Sequence, residues 1–180
     1  DPFAVPLNPG VPDLAEMSRA ALNVLWRHGE GFGLLIEGGA VDWGGHDRAV
    51  GRTVEEQLDF DAAVAAVVAW LDARELWEQT LLVVTSDHEC GHLRGVDGEG
   101  TSPAVPPAAA GEMPAVEFRT GAHTHALVPL FARGAGSAAL AAYADEHDPV
   151  RGAYLDNAEL GAYLSDLARS SDLARAGPGH

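Results

Sequence analysis

Two short apolar runs in this chain stop on charged residues, and that arrangement restricts the fold more than any other feature. Leu34-Leu35-Ile36 runs directly into Glu37, and Leu81 to Thr85 is followed by Ser86, Asp87 and His88. Apolar runs this short, one of them set between glycines, suit buried strands. The segments around them suit helices. Residues 12–29 open with Asp13 and Glu16 in capping-box spacing and repeat Leu14, Met17, Ala21 and Leu25 on one face. Residues 53–77 open with a second such pair, Thr53 and Glu56, and hold a helical period for about seven turns. Residues 126–134 are a third strand candidate, and residues 156–171 a closing helix capped by Asp156 with Glu159. Residues 91–121 are rich in Gly, Pro and Ala, show no period, and read as one long loop. The order α-β-α-β-loop-β-α predicts an α/β layer fold with a largely parallel sheet.

The bulk numbers leave room for one such domain. The chain has 180 residues, 47% of them apolar, enough for a core and too many for general disorder. No apolar run approaches the roughly 18 residues of a membrane helix. The opening residues carry no signal-peptide pattern and no Met. They read as a Pro-rich loop entered midway, as expected of a piece of a longer protein. The net charge is −16 and all eleven cations are arginine. Phosphate backbones and anionic membranes call for clustered cations, so nucleic acid is not an expected partner. The absence of lysine also excludes a Walker A loop. A chain this acidic can still take a phosphate if bound cations reverse the local field. The single Cys90 forbids an internal disulfide and leaves the compartment open.

In open α/β sheets ligands bind beyond the carboxyl ends of the strands, where Glu37, Asp87 and His88 fall. Asp42 and His46 are four apart, so one helical turn puts both on one face. The glycines at 38, 39, 44 and 45 permit tight bends and close backbone approach. "GAHTH", before the third strand candidate, supplies His123. Three carboxylates and three imidazoles make an N/O set suited to zinc, with oxygen-only positions left for magnesium. Any one of these residues alone reads as a solvated loop residue; it is the combination that points to a metal site. His28, His147 and His180 read as surface residues, and residues 144–149 as an acidic solvated loop. Asp59 and Asp61 belong to the polar face of a long helix. Cys90 reads as a small buried residue. "SDH" at 86–88 cannot form a serine-protease triad, since three consecutive residues cannot adopt its geometry. "GEGFG" at 29–33 precedes a strand, so it is not a dinucleotide fingerprint.

Taken together, "PDLAEMSRAAL", "GFGLLIEGGAVDWGGH", "TVEEQLDFDAAV", "TLLVVTSDHECGHL" and "GAHTHALVPLFARG" resemble, in order, the C-terminal part of bacterial alkaline phosphatases. The resemblance covers nearly the whole chain, least of all the loop 91–121, which it places near the active site. It implies a three-layer α/β/α domain that is incomplete in residues 1–180. It further implies that Glu37 is a magnesium ligand, that Asp42, His46 and His123 hold one zinc, and that Asp87 and His88 hold a second. Trp43 falls where the family has a residue beside the phosphate. Cys90 stands where some members have a histidine orienting a zinc-bound carboxylate, a departure that puts that support in doubt. The nucleophile, a metal-bridging Asp and a phosphate-gripping Arg of the family lie upstream of this segment.

The activity implied is phosphomonoester hydrolysis through a phosphoenzyme at two zincs and one magnesium, with this chain supplying ligands but no nucleophile. By itself the chain is then expected to be inactive. A phosphodiesterase or other hydrolase on the same scaffold, and a metal-binding fragment without catalysis, are the competing readings. The resemblance also implies a small phosphate ester as partner, leaves a homodimer open, and places the protein in the periplasm or outside the cell.

Overall fold

The computed structural model describes residues 3–5, 8–96 and 103–175; part of the long loop, residues 97–102, and His180 lie outside them. The elements in chain order are α1 (Leu14–Arg27), α2 (Ala40–His46), α3 (Val50–Asp72), β1 (Leu81–Val84), β2 (Glu89–Cys90), β3 (Leu93–Gly95), β4 (Val116–Phe118), β5 (His123–Thr124), β6 (Phe131–Gly134), α4 (Ser137–Ala141), β7 (Glu146–Asp148), β8 (Gly152–Tyr154) and α5 (Asn157–Arg175). They fall into two compact units, one of Asp1–Ala73 with His88–Val128, the other of Arg74–Asp87 with Pro129–His180.

In the first unit α1 packs on α3. The capping box predicted for α1 is present: Glu16 N donates to Asp13 Oδ1 at 2.6 Å, and Asp13 N to Glu16 Oε2 at 3.3 Å. Asp13→Ala removes the bond that the Asp13 carboxylate accepts from Glu16 N. It is expected to lower stability by about 1 kcal/mol, read as a shift in urea midpoint at unchanged slope. The buried face of α1 is Ala15, Ser18 and Leu22, one step round from the face expected, and Met17 is 48% exposed. Ala63, Val67, Trp70 and Leu71 of α3 are buried with them, each large apolar side chain contributing roughly 1.5–3 kcal/mol. The indole of Trp70 stands edge-on to Trp26 at 5.7 Å and donates to Asn23 Oδ1 at 3.0 Å, so its polar atom is satisfied as it is buried.

The second capping box does not form. The helix begins earlier, at Val50, and Thr53 lies inside it with its hydroxyl donating to Ala49 O at 3.1 Å. That back-bond to the preceding turn replaces the expected cap.

The predicted strand at 33–36 is extended but pairs with nothing among the described residues, and Leu35 is 86% exposed. The four strand pairings among the described residues, β1–β6, β2–β5, β3–β4 and β7–β8, are all antiparallel ribbons of two. These residues therefore do not form the largely parallel sheet expected. Parallel strands are joined by crossovers and covered on both faces, and here every described strand has a single antiparallel neighbour. For the same reason β1 is half-buried rather than buried. The long loop is also less irregular than expected, since β3 and β4 pair within it and Arg94 forks onto Glu117 Oε1 at 2.7 and 3.1 Å.

In the second unit β1 pairs with β6, and Leu76, Leu140 and Tyr163 are buried. The Tyr163 hydroxyl donates to Gly136 O at 2.7 Å, and Arg133 lies over the Trp77 ring at 3.9 Å. The start of α5 follows the sequence reading, with Asp156 N donating to Glu159 Oε2 and Ala158 N to Asp156 Oδ1, both at 2.8 Å. The acidic run at 144–149 is largely a hairpin, in which Asp148 Oδ1 accepts from Val150 N and Arg151 N. That carboxylate closes a turn.

Candidate metal centre

Three of the six predicted ligands converge in the first unit. Asp42 and His46 lie one turn apart on α2, and His46 Nε2 is 3.3 Å from Asp42 Oδ2. α2 lies against the first turns of α3, and Gly44 makes this possible. A Cβ there would meet Thr53 Oγ1 at 2.6 Å and the Thr53 Cα and N at 3.0 Å. The third ligand comes from far along the chain. His123 opens β5, and its Nε2 is 3.1 Å from His46 Nε2 and 3.2 Å from Asp42 Oδ1.

A main-chain carbonyl orients the His46 ring: Nδ1 lies 2.8 Å from Gly121 O, and a carbonyl can only accept, so Nδ1 donates and Nε2 is turned toward Asp42 and His123. This is the partner a ligating imidazole ordinarily has behind it. Asp42 Oδ1 is buried and no aligned hydrogen bond reaches it, although His123 stands at ion-pair distance. Burial pushes the Asp42 carboxyl up, but the hydrogen bond from Cys90 and the surrounding imidazoles outweigh it, leaving the group below the ordinary carboxylate range. Asp42 is thus an anion with one buried oxygen unfilled.

A tetrahedral centre with bonds of about 2.0 Å has donor-to-donor edges of about 3.3 Å. The observed separations of 3.1, 3.2 and 3.3 Å are close to this edge, with His123 facing Asp42 Oδ1 and His46 facing Asp42 Oδ2.

The residues alone give Cys90 as a small buried residue, and only the resemblance sets it beside a metal-bound carboxylate; the structure brings it into the cluster. Cys90 Sγ joins Asp42, His46 and His123 in a set whose ligand atoms all lie within 4.8 Å of one another. Cys90 and His123 are directly opposed across β2–β5, which puts both side chains on one face of the ribbon. The neighbouring pair, Glu89 and Thr124, points the other way, and the Thr124 hydroxyl bonds to Glu89 Oε2. No spacing rule joins residue 90 to residue 123; only the strand register does. Burial, first, and then the hydrogen bond to Asp42 push the Cys90 thiol up to about 12.

The remaining predicted residues are placed as follows. The His88 ring stacks on His123 at 3.5 Å between centroids and 25° between planes. Asp87 lies on the bend after β1 and is exposed, in the second unit. Glu37 is exposed at the end of the extended segment, beside the groove that Leu14 and Met17 line, and its carboxylate folds over Gly39. Trp43 is on α2, 61% exposed.

The alkaline phosphatase family profile matches residues 5–111, more than half of the 180 residues. The chain belongs to the alkaline phosphatase family. It is 35% identical over 89 residues to alkaline phosphatase 3 of Bacillus subtilis, covering 49% of this chain and 19% of that protein. It is 36% identical over 142 residues to the streptomycin-6-phosphate phosphatase of Streptomyces griseus, covering 69% of this chain and 30% of that one. Among solved structures it resembles a variant of the alkaline phosphatase from the Antarctic bacterium TAB5 with magnesium bound, at a TM-score of 0.55 and 29% identity. That match covers 69% of this chain and 35% of the other. The chain therefore spans between about a fifth and about a third of the length of these alkaline phosphatase relatives. Its own α/β character agrees with theirs.

Proposed function

We infer that the complete protein hydrolyses phosphate monoesters at a metal centre to which this chain contributes imidazoles and carboxylates. The observation that carries this is the convergence of the Asp42 carboxylate with the Nε2 atoms of His46 and His123, drawn from two distant parts of the chain. Family membership supports it, as does a relative named for its action on a sugar-phosphate-bearing antibiotic, streptomycin 6-phosphate.

Asp42, His46 and His123 hold one zinc, Asp87 and His88 contribute to a second, and Glu37 to a magnesium. When bound, the ions neutralise the phosphoryl oxygens and acidify the attacking oxygen. Every other contribution of this chain is positional. Gly121 O keeps His46 Nε2 aimed inward, and the His88 stack braces the His123 ring. Trp43, exposed one residue after Asp42, is the side chain that the family resemblance sets beside a bound phosphate. The nucleophile, and with it a phosphoenzyme, comes from family segments beyond this chain. The same segments complete a three-layer domain with a largely parallel sheet, and the exposed run Leu34–Ile36 is an edge open to pairing. Among the described residues no helix is long and apolar enough to cross a membrane. A periplasmic or extracellular site and a homodimeric assembly belong to this reading as expectations from the family.

The test uses the protein extended to full family length and loaded with zinc and magnesium. p-Nitrophenyl phosphate is expected to be hydrolysed far faster than bis(p-nitrophenyl) phosphate. A preference for the diester would assign the protein to diester hydrolysis instead, and no turnover of either would leave it a metal-binding protein without catalysis.

A further inference from the structure

We propose that Arg48 is a specificity-determining residue, a cationic subsite at the rim of the metal centre for a second anionic group on the ester. The proposal rests on the phosphomonoesterase reading and deepens it by naming a substrate class: monoesters whose leaving group carries a carboxylate.

The backbone gives the first reason. α2 ends in a Schellman motif, in which Arg48 N donates to Gly45 O at 3.0 Å and Ala49 N to Gly44 O at 2.9 Å. Arg48 is the residue just past the Asp47 cap, with a φ of +55°. Glycine is the usual occupant there, because a side chain in the left-handed region crowds its own backbone. A long cation held in such a conformation is strain of the kind that collects at functional sites.

The second reason is where the side chain goes. Gly121 O takes the His46 ring nitrogen at 2.8 Å. A Cβ on the same Gly121 would lie 2.8 Å from His46 O and 4.0 Å from Arg48 Nε. The Arg48 side chain therefore lies against the residue that orients a proposed zinc ligand, and the missing side chain at 121 leaves it room. It is also uncommitted. Arg52 is paired with Asp47, and Arg94 and Arg119 share Glu117, whereas among the described residues no ion pair or hydrogen bond engages the Arg48 guanidinium.

Exposure gives the third reason. His46, His123 and Arg48 are all exposed, so an ester held at the centre meets solvent on the side where the guanidinium stands. A net charge of −16 repels a second anion on the substrate. A guanidinium at the rim offsets that repulsion locally and offers a carboxylate two parallel N–H donors.

The test uses the full-length protein loaded with zinc and magnesium, with a matched pair of esters, 4-carboxyphenyl phosphate and its neutral amide. The quantity read is the acid-to-amide ratio of kcat/KM. Arg48→Gly suits the φ of +55°, so its urea midpoint is expected to equal or exceed that of the wild type. The same variant is expected to lower the ratio about 3–5-fold, the reach of one exposed ion pair, through a raised KM for the acid. Arg48→Lys keeps the charge and is expected to keep most of the ratio. Added salt at about 0.5 M is expected to flatten the wild-type ratio, because screening then acts within a few ångströms. An unchanged ratio in Arg48→Gly would overturn the proposal and leave the phosphatase reading standing. Equal losses with both esters would make Arg48 a support for His46 and overturn the proposal as well. No hydrolysis of either ester by the wild type would overturn the phosphatase reading and this proposal together.

Discussion

His123→Ala is expected to abolish phosphatase activity of the full-length protein, by about a thousandfold or more, while leaving the fold almost untouched. The side chain is 45% exposed, and substitutions at such surfaces ordinarily shift stability by no more than about 0.5 kcal/mol. The chemistry has no such reserve. His123 is the one member of the cluster that β5 brings to α2, and its Nε2 is within 3.2 Å of donors on both Asp42 and His46. Without it only Asp42 and His46 of the three proposed zinc ligands remain, and the face of His88 that stacks on it is bared. A bound metal provides several kcal/mol of charge stabilisation in phosphoryl transfer, and about 1.4 kcal/mol corresponds to a factor of ten in rate. The measurement is kcat with p-nitrophenyl phosphate beside metal content after gel filtration. His125→Ala is the control, since His125 is exposed two residues further on and outside the cluster; it is expected to keep wild-type turnover and metal. Activity retained in His123→Ala would remove the ligand assignment.

What could be read from the sequence divides along the range of the interactions. The cap of α1 depends on Asp13 and Glu16, three residues apart, and it forms as spaced. The Asp42–His46 pair depends on one turn of helix and also forms. Thr53 shows the weakness of the same rule: its spacing to Glu56 is correct, but α3 extends back to Val50 and takes the hydroxyl inside. The sheet was harder to read. Leu34–Ile36 and Leu81–Val84 have the composition of buried parallel strands, yet composition does not supply the neighbours a parallel strand needs. Among the described residues the first run pairs with nothing, and the second pairs antiparallel with β6. Cys90 was read as packing because its approach to Asp42 depends on a strand register and on a missing Cβ at Gly45. Neither has a signature in local spacing.

Gly134→Ala is expected to produce the largest loss of stability, and to produce it in the second unit. Gly134 closes β6 opposite Leu81, at a φ of +96°, where a side chain costs roughly 1–2 kcal/mol by crowding its own backbone. Space is the more severe obstacle. A Cβ at this position would lie 2.1 Å from Thr80 O and 3.2 Å from Trp77 O, and both are main-chain atoms that no rotamer change can remove. Those two carbonyls accept the Ala135 N–H at 2.9 and 3.0 Å, so moving them also breaks the turn that joins β6 to the end of the Trp77 loop. Overpacking of this kind adds roughly 1–3 kcal/mol. The sum, about 2–5 kcal/mol, is a large part of the roughly 5–15 kcal/mol that holds a domain together. The loss should be local first: hydrogen exchange at the amides of β1 and β6 is expected to quicken while the α1–α3 pair keeps its protection. Gly152→Ala makes the comparison, since Gly152 has φ of +87° but nothing within 4 Å of its would-be Cβ. It carries the backbone strain without the collision, so its loss should stay near 1–2 kcal/mol. Equal losses at the two positions would mean that strain alone, and not the Thr80 carbonyl, governs Gly134.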